Sequence, residues 1–99
     1  MLRGAMALGE NPKKVATDVA EGLRTFNKVN LRRYEAPDLK VIVTSLNEAQ
    51  RDIRMEIVGA DDPDYTDKMK HKNQRMTRIR NTLTIIRSFV YRRNIKGVF

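Results

Sequence analysis

From residue 68 to residue 99 the chain carries ten basic side chains and no acidic one. The bases are Lys68, Lys70, Lys72, Arg75, Arg78, Arg80, Arg87, Arg92, Arg93 and Lys96. Residues 1–67 carry ten basic and twelve acidic side chains, so the formal +8 divides into +10 on the last third and −2 on the rest. A face of this kind can do one of three things. It can neutralise nucleic-acid phosphates and release their counterions. It can place arginines in or beside a protein interface, where they form charge-assisted hydrogen bonds. It can simply be solvated.

Catalytic chemistry has less to stand on. His71 is the only histidine and there is no cysteine, so a nitrogen–sulfur metal site lacks ligands. Asp61, Asp62, Asp64 and Asp67 crowd together, but the spacing, central glycine and bidentate glutamate of a calcium loop are missing. Four acids just before a helix read instead as complements to the positive end of its dipole. Ser45 and Ser88 have no histidine at a suggestive position, and no glycine-rich phosphate loop occurs. The chain reads as a non-enzyme, with no catalytic, metal or cofactor residue assigned and no small-molecule substrate.

The elements that position the basic residues follow from periodicity. Met69, Met76, Ile79, Leu83, Ile86 and Val90 recur at helical spacing and make one apolar stripe. The spacing predicts a long helix over about 64–96, ended by Gly97. Asn11-Pro12 is a helix-start pair. Val15, Val19, Leu23 and Phe26 then follow one face, which predicts a helix over about 11–26. Pro37 opens a third stretch, in which Leu39, Ile42, Val43, Leu46, Ile53 and Ile57 keep the helical repeat as far as Gly59. This predicts a helix over about 37–58. Residues 27–37 read as an irregular connection pinned to the core by Leu31 and Tyr34. The expected fold is all-α: one domain of three helices over residues 1–99, with the basic C-terminal helix longest.

At 99 residues the chain makes one domain at most. Its apolar runs are far shorter than a bilayer requires, so no membrane partner is expected. The start, MLRGAMALGENP, is too weak for a secretory signal; its arginine leaves a mitochondrial presequence open. The cysteine-free composition fits an intracellular, reducing compartment.

Between Thr82 and Tyr91 the apolar residues are too dense for one stripe. Leu83, Ile85, Ile86, Phe89, Val90 and Tyr91 surround much of the helix. Two shorter helices do not cover both sides, so this segment is expected to pack into a larger assembly of helical proteins. The expected protein interface is Arg78, Arg80, Leu83, Ile86, Arg87, Phe89, Val90 and Tyr91. The alternative is a small basic ribonucleoprotein or ribosomal protein. Its phosphate contacts would be Lys68, Lys70, Lys72 and Arg75.

The order of motifs resembles the helical domain of the Psf-one subunit of GINS, a four-subunit eukaryotic replication factor. The resemblance rests on a first helix ending near Phe26, on Leu31-x-x-Tyr34, and on a capped helix from Asp38 to Glu48. It continues in a long helix containing Arg78-Ile79-Arg80-Asn81-Thr82-Leu83-Thr84-Ile85-Ile86. Arg78, Arg80 and Leu83 match the family's pattern. Asn81 stands for an arginine, Thr82 for the usual cysteine and Ile86 for an aromatic residue. The family's tryptophan and small β-rich C-terminal domain have no counterpart. The resemblance implies a scaffolding subunit packed lengthwise against a sister subunit, in the nucleus, with Arg78, Arg80 and Leu83 at the interface.

Overall fold

The computed structural model describes residues 9–99. The mitochondrial reading of the N-terminus therefore falls largely outside the described residues. Four helices follow in order: α1 (Pro12–Ala20), α2 (Lys28–Leu31), α3 (Ala36–Arg54) and α4 (Tyr65–Arg92). There is no strand among the described residues. The fold is all-α, as expected, with four helices among the described residues rather than three.

The starts of the helices are local events. The Asn11 side chain accepts from the Lys13 and Lys14 N–H groups, and Pro12 occupies the first turn of α1. The unexpected α2 forms because Asn27 and Asn30 satisfy one another's backbone. Asn27 Oδ1 accepts from the N–H groups of Val29 and Asn30, while Asn30 Oδ1 accepts from the Asn27 N–H at 2.8 Å. That reciprocal cap stabilises a single turn within what reads as irregular chain. The α3 start uses the same device, with Asp38 accepting from the Glu35 N–H.

The helix ends fall short of expectation. The first helix stops at Ala20, because Gly22 takes φ +79° and reverses the chain. The Leu23 N–H bonds to the Asp18 carbonyl and the Gly22 N–H to the Val19 carbonyl, the double closure of a Schellman turn. Leu23 therefore leaves the expected stripe and stands 76% exposed, while Phe26 reaches the core from a non-helical segment. The end of α4 repeats the motif with Asn94 at φ 54°. Ile95 N–H bonds to Val90 O, and Asn94 N–H bonds to Tyr91 O. Asn94, not Gly97, ends the last helix. The third helix ends at Arg54 instead of near 58, so Ile57 lies outside the repeat and is 93% exposed.

One apolar core joins the elements. Val15 and Val19 of α1 meet Leu39, Ile42 and Leu46 of α3 and Ile79, Leu83, Ile86 and Val90 of α4. Leu31 and Tyr34 are buried, as anchors should be, and so is Val98 beyond the last helix. The core covers only part of α4. At about 1.5 Å per residue its 28 residues run about 42 Å, close to the 49 Å length of the molecule. Every fully buried residue of α4 lies at Ile79 or beyond.

Candidate functional site

The basic side chains of α4 divide by what they touch. Lys72, Arg75 and Arg78 step by three along one side of the helix and bond inward. Lys72 Nζ donates to the carbonyls of Glu56 at 2.7 Å and Arg54 at 3.4 Å, just where α3 ends. Arg75 makes a two-pronged bond to the Glu56 carboxylate at 2.6 and 3.0 Å. Arg78 Nη1 donates to the Ala20 carbonyl, the last residue of α1, at 2.9 Å. The C-termini of two helices, each with unpaired carbonyls and partial negative charge, are thus closed by cations from a third.

The electrostatics agree. The Arg75 guanidinium holds the Glu56 carboxyl below the usual carboxylate range, and Glu56 in turn raises Arg75. Arg75 Nε is buried and has no hydrogen-bond partner among the described residues. Nearby, Lys68 pairs with Asp62 at 2.7 Å, and His71 Nε2 lies 3.5 Å from Glu21 Oε1.

Of the four expected phosphate contacts, Lys68, Lys72 and Arg75 therefore bond within the chain, and Lys70 is exposed. Of the expected interface residues, Leu83, Ile86, Phe89 and Val90 are buried in the chain's own core. Arg78 is bonded to α1. Arg80 is exposed, Arg87 lies 4.6 Å from the Phe99 ring centre, and Tyr91 is 84% exposed.

Two features lie beyond the sequence reading. The first is a network at the other side of the bundle. Arg24 bonds to both carboxylate oxygens of Glu10 and to the Tyr34 hydroxyl; that hydroxyl donates to Glu10 Oε1 at 2.6 Å. Arg24 also lies 5.0 Å from the Phe26 ring centre, and Phe26 meets Tyr34 edge-on. The Arg24 hydrogen bond draws the Glu10 carboxyl down, while burial pushes the Tyr34 hydroxyl up to about 12. The second is a pocket of about 250 Å³ between α2 and the end of α4, lined by Lys28, Arg32, Phe89, Arg92 and Arg93. Lys28, Arg32 and the pair Arg92-Arg93 are visible in the sequence; their convergence is not.

The first half of α4 is flanked by two open grooves. One, of about 710 Å³, includes Tyr65, Met69, Asn73 and Thr77; the other, of about 690 Å³, runs between Ile57-Val58 and His71. No group of three or more histidine or carboxylate side chains able to hold a metal forms among the described residues. Among the described residues no helix is long and apolar enough to cross a membrane. No family model, curated protein or solved structure matches the chain.

Proposed function

We propose that the chain is a non-catalytic helical subunit of a multiprotein assembly, and that the first half of α4 is its docking arm. One observation carries this reading. Between Tyr65 and Arg78 no residue of α4 is fully buried, whereas six are buried between Ile79 and Val90. A helical segment of about 14 residues is marginal in water without packing. Here it is held to the body by the inward bonds of Lys72, Arg75 and Arg78 and by half-buried Met76, which packs against the core. One side of it offers half-buried Met69, partly exposed Tyr65 and the uncharged polar residues Thr66, Asn73, Gln74 and Thr77. Lys70 and Arg78 line the same groove; Arg78 is already bonded to Ala20, so a second helix laid alongside meets one exposed cation, Lys70, among apolar and uncharged polar side chains. Exposed Ile85 and Tyr91 extend apolar surface towards the other end of the same helix.

A GINS-like replication scaffold in the nucleus is the specific form of this proposal. Leu31, Tyr34 and Leu83, which carry part of the resemblance, are core residues. They support a similar helical build more than a particular partner. The ribonucleoprotein alternative through Lys68, Lys72 and Arg75 is weaker, since those donors already hold intramolecular partners.

The test pairs capture with exchange. Tagged chain is recovered from its own cells under nuclease and raised salt, beside a Met69→Glu, Thr77→Glu variant. The expected result is a helical partner at fixed stoichiometry on the wild type and absent from the variant. Adding that partner should slow amide exchange in residues 65–77. A partner retained by the variant, or exchange unchanged in 65–77, overturns the arm. Wild type without any stoichiometric protein overturns the subunit reading itself.

A further inference from the structure

The far end of α4 carries a different chemistry. The single turn α2 packs on α4 and brings Lys28 and Arg32 beside Arg92 and Arg93 around one pocket of about 250 Å³. Phe89 floors that pocket, and the Arg93 guanidinium lies 5.2 Å from its ring centre. Nearer the arm, Lys72, Arg75 and Arg78 all bond to carbonyls or a carboxylate. None of the four cations at this end joins an ion pair among the described residues. The C-terminal dipole of α4 accounts for Arg92 and Arg93. It does not account for Lys28 and Arg32, which stand one turn apart in α2 and its C-cap and repel one another.

The make-up of the pocket narrows what can fill it. Its polar lining is three guanidiniums and one ammonium, which donate hydrogen bonds and accept none. The occupant must therefore present acceptors on several sides at once. The volume falls below that of pockets for drug-sized ligands, so it admits a small group and not a helix. An acidic peptide spreads single charges along its length, and a pocket this small takes one carboxylate. A phosphate group instead gathers three acceptor oxygens and a charge of about −1.5 to −2 at one point. Two adjacent phosphates bring about three to four negative charges to meet four cations. The guanidinium fork takes such oxygens two at a time. No histidine, carboxylate or hydroxyl is among the lining residues, so the pocket holds the anion and does not cleave it.

We infer that this pocket binds a small anion carrying two adjacent phosphate groups. Lys28 and Arg32 hold it from α2, and Arg92 and Arg93 hold it from the end of α4, so the anion ties the two elements together. The pocket lies at the opposite end of α4 from the docking arm, so either can fail without the other.

The experiment is calorimetric titration of the full chain with inorganic pyrophosphate at fixed ionic strength. Binding should be one-to-one, and orthophosphate and sulfate should each bind at least about tenfold more weakly. Arg92→Gln with Arg93→Gln, and separately Lys28→Gln with Arg32→Gln, should each weaken pyrophosphate by at least about tenfold. Lys13→Gln with Lys40→Gln removes the same charge from α1 and α3 and should leave binding within about twofold. Circular dichroism confirms that each variant folds. Amide NMR shifts on the wild type read the site without any variant and should cluster in residues 28–32 and 89–95. Competition by ADP, by phosphatidylcholine vesicles bearing a bisphosphorylated inositol lipid, or by neither assigns the phosphates to a nucleotide, a lipid headgroup or the free anion. The inference is overturned by absence of binding, by sulfate or orthophosphate binding as tightly as pyrophosphate, or by NMR shifts that fall elsewhere. It is also overturned by equal weakening from all three charge pairs, which signals a diffuse field, or by poly-glutamate displacing pyrophosphate at equal concentration of charge.

Discussion

The Arg78 guanidinium donates to the Ala20 carbonyl at 2.9 Å, across 58 residues of sequence. Ala20 ends α1, and Gly22, two residues on, turns the chain away. A Cβ at Gly22 would sit 3.1 Å from Arg78 Cζ, so the bare glycine makes room for the cation. The two positions are one device: Gly22 opens the helix end and Arg78 closes it. Gly22→Ala should cost about 1–2 kcal/mol from its left-handed backbone, with a further loss from displacing the guanidinium. Arg78→Met keeps the stem but removes the charged donor and should cost about 1–3 kcal/mol. Urea unfolding of both singles and the double gives the coupling. Strict additivity would show that glycine and arginine act separately.

Asn94 provides a cleaner test of the left-handed cap, because no distant side chain is involved. At φ 54° a glycine fits without strain and a Cβ without polar help does not. Asn94→Gly should leave the unfolding midpoint almost unchanged. Asn94→Ala should lower stability by about 1 kcal/mol. Equal effects from the two would exclude backbone strain as the cause.

Acid should loosen two contacts. Glu10 and Glu56 are both held below their ordinary 4.5 by arginines, Arg24 and Arg75 respectively. A depressed folded value means that the unfolded chain takes up protons first. The stabilisation is therefore complete above about pH 4.5 and is lost as the pH falls through the lower folded values. Urea midpoints measured from pH 6 towards 3 should drop more for the wild type than for Glu56→Gln or Glu10→Gln. Parallel curves would mean that these pairs contribute nothing to folding.

Alkali acts in the opposite sense on Tyr34, whose hydroxyl is raised from 10.0 to about 12. A raised folded value binds its proton more tightly in the native state. Its contribution is whole below about pH 10 and is lost between about 10 and 12. Tyr34→Phe removes a hydroxyl bonded to Glu10 and Arg24 and should cost about 1 kcal/mol at neutral pH. The gap between variant and wild type should narrow across that alkaline window. A constant gap would show that the hydroxyl titrates equally in both states.

Burial makes a sharp contrast between two isoleucines that share the helical repeat in the sequence. Ile86 is fully buried, and Ile57 is 93% exposed. Ile86→Ala should cost about 2–5 kcal/mol. Ile57→Ser should stay within about 0.5 kcal/mol. A large loss at Ile57 would mean that the segment after α3 packs more closely than its exposure allows.

The sequence by itself determined the fold class and most helix starts. Asn11-Pro12 and the Leu39 to Leu46 stripe act over one to three turns, so their signals lie within a few residues. Leu31 and Tyr34 were legible as anchors because an apolar residue in a polar connection has few other roles. The four-residue α2 escaped, since a turn held by two asparagines leaves no apolar period. Helix ends were read too late at residues 26, 58 and 96. The apolar spacing runs on past Gly22, Arg54 and Asn94, while the backbone turns there. Only the tertiary structure decided what the basic residues do. Lys72, Arg75 and Arg78 look like Lys70 and Arg80 in a list of charges. The difference is a carbonyl or carboxylate 16 to 58 residues away that the first three reach. The meeting of Lys28 and Arg32 with Arg92 and Arg93 is of the same kind. Charge is a property of the residue, but its partner is set by which chain ends the core brings together.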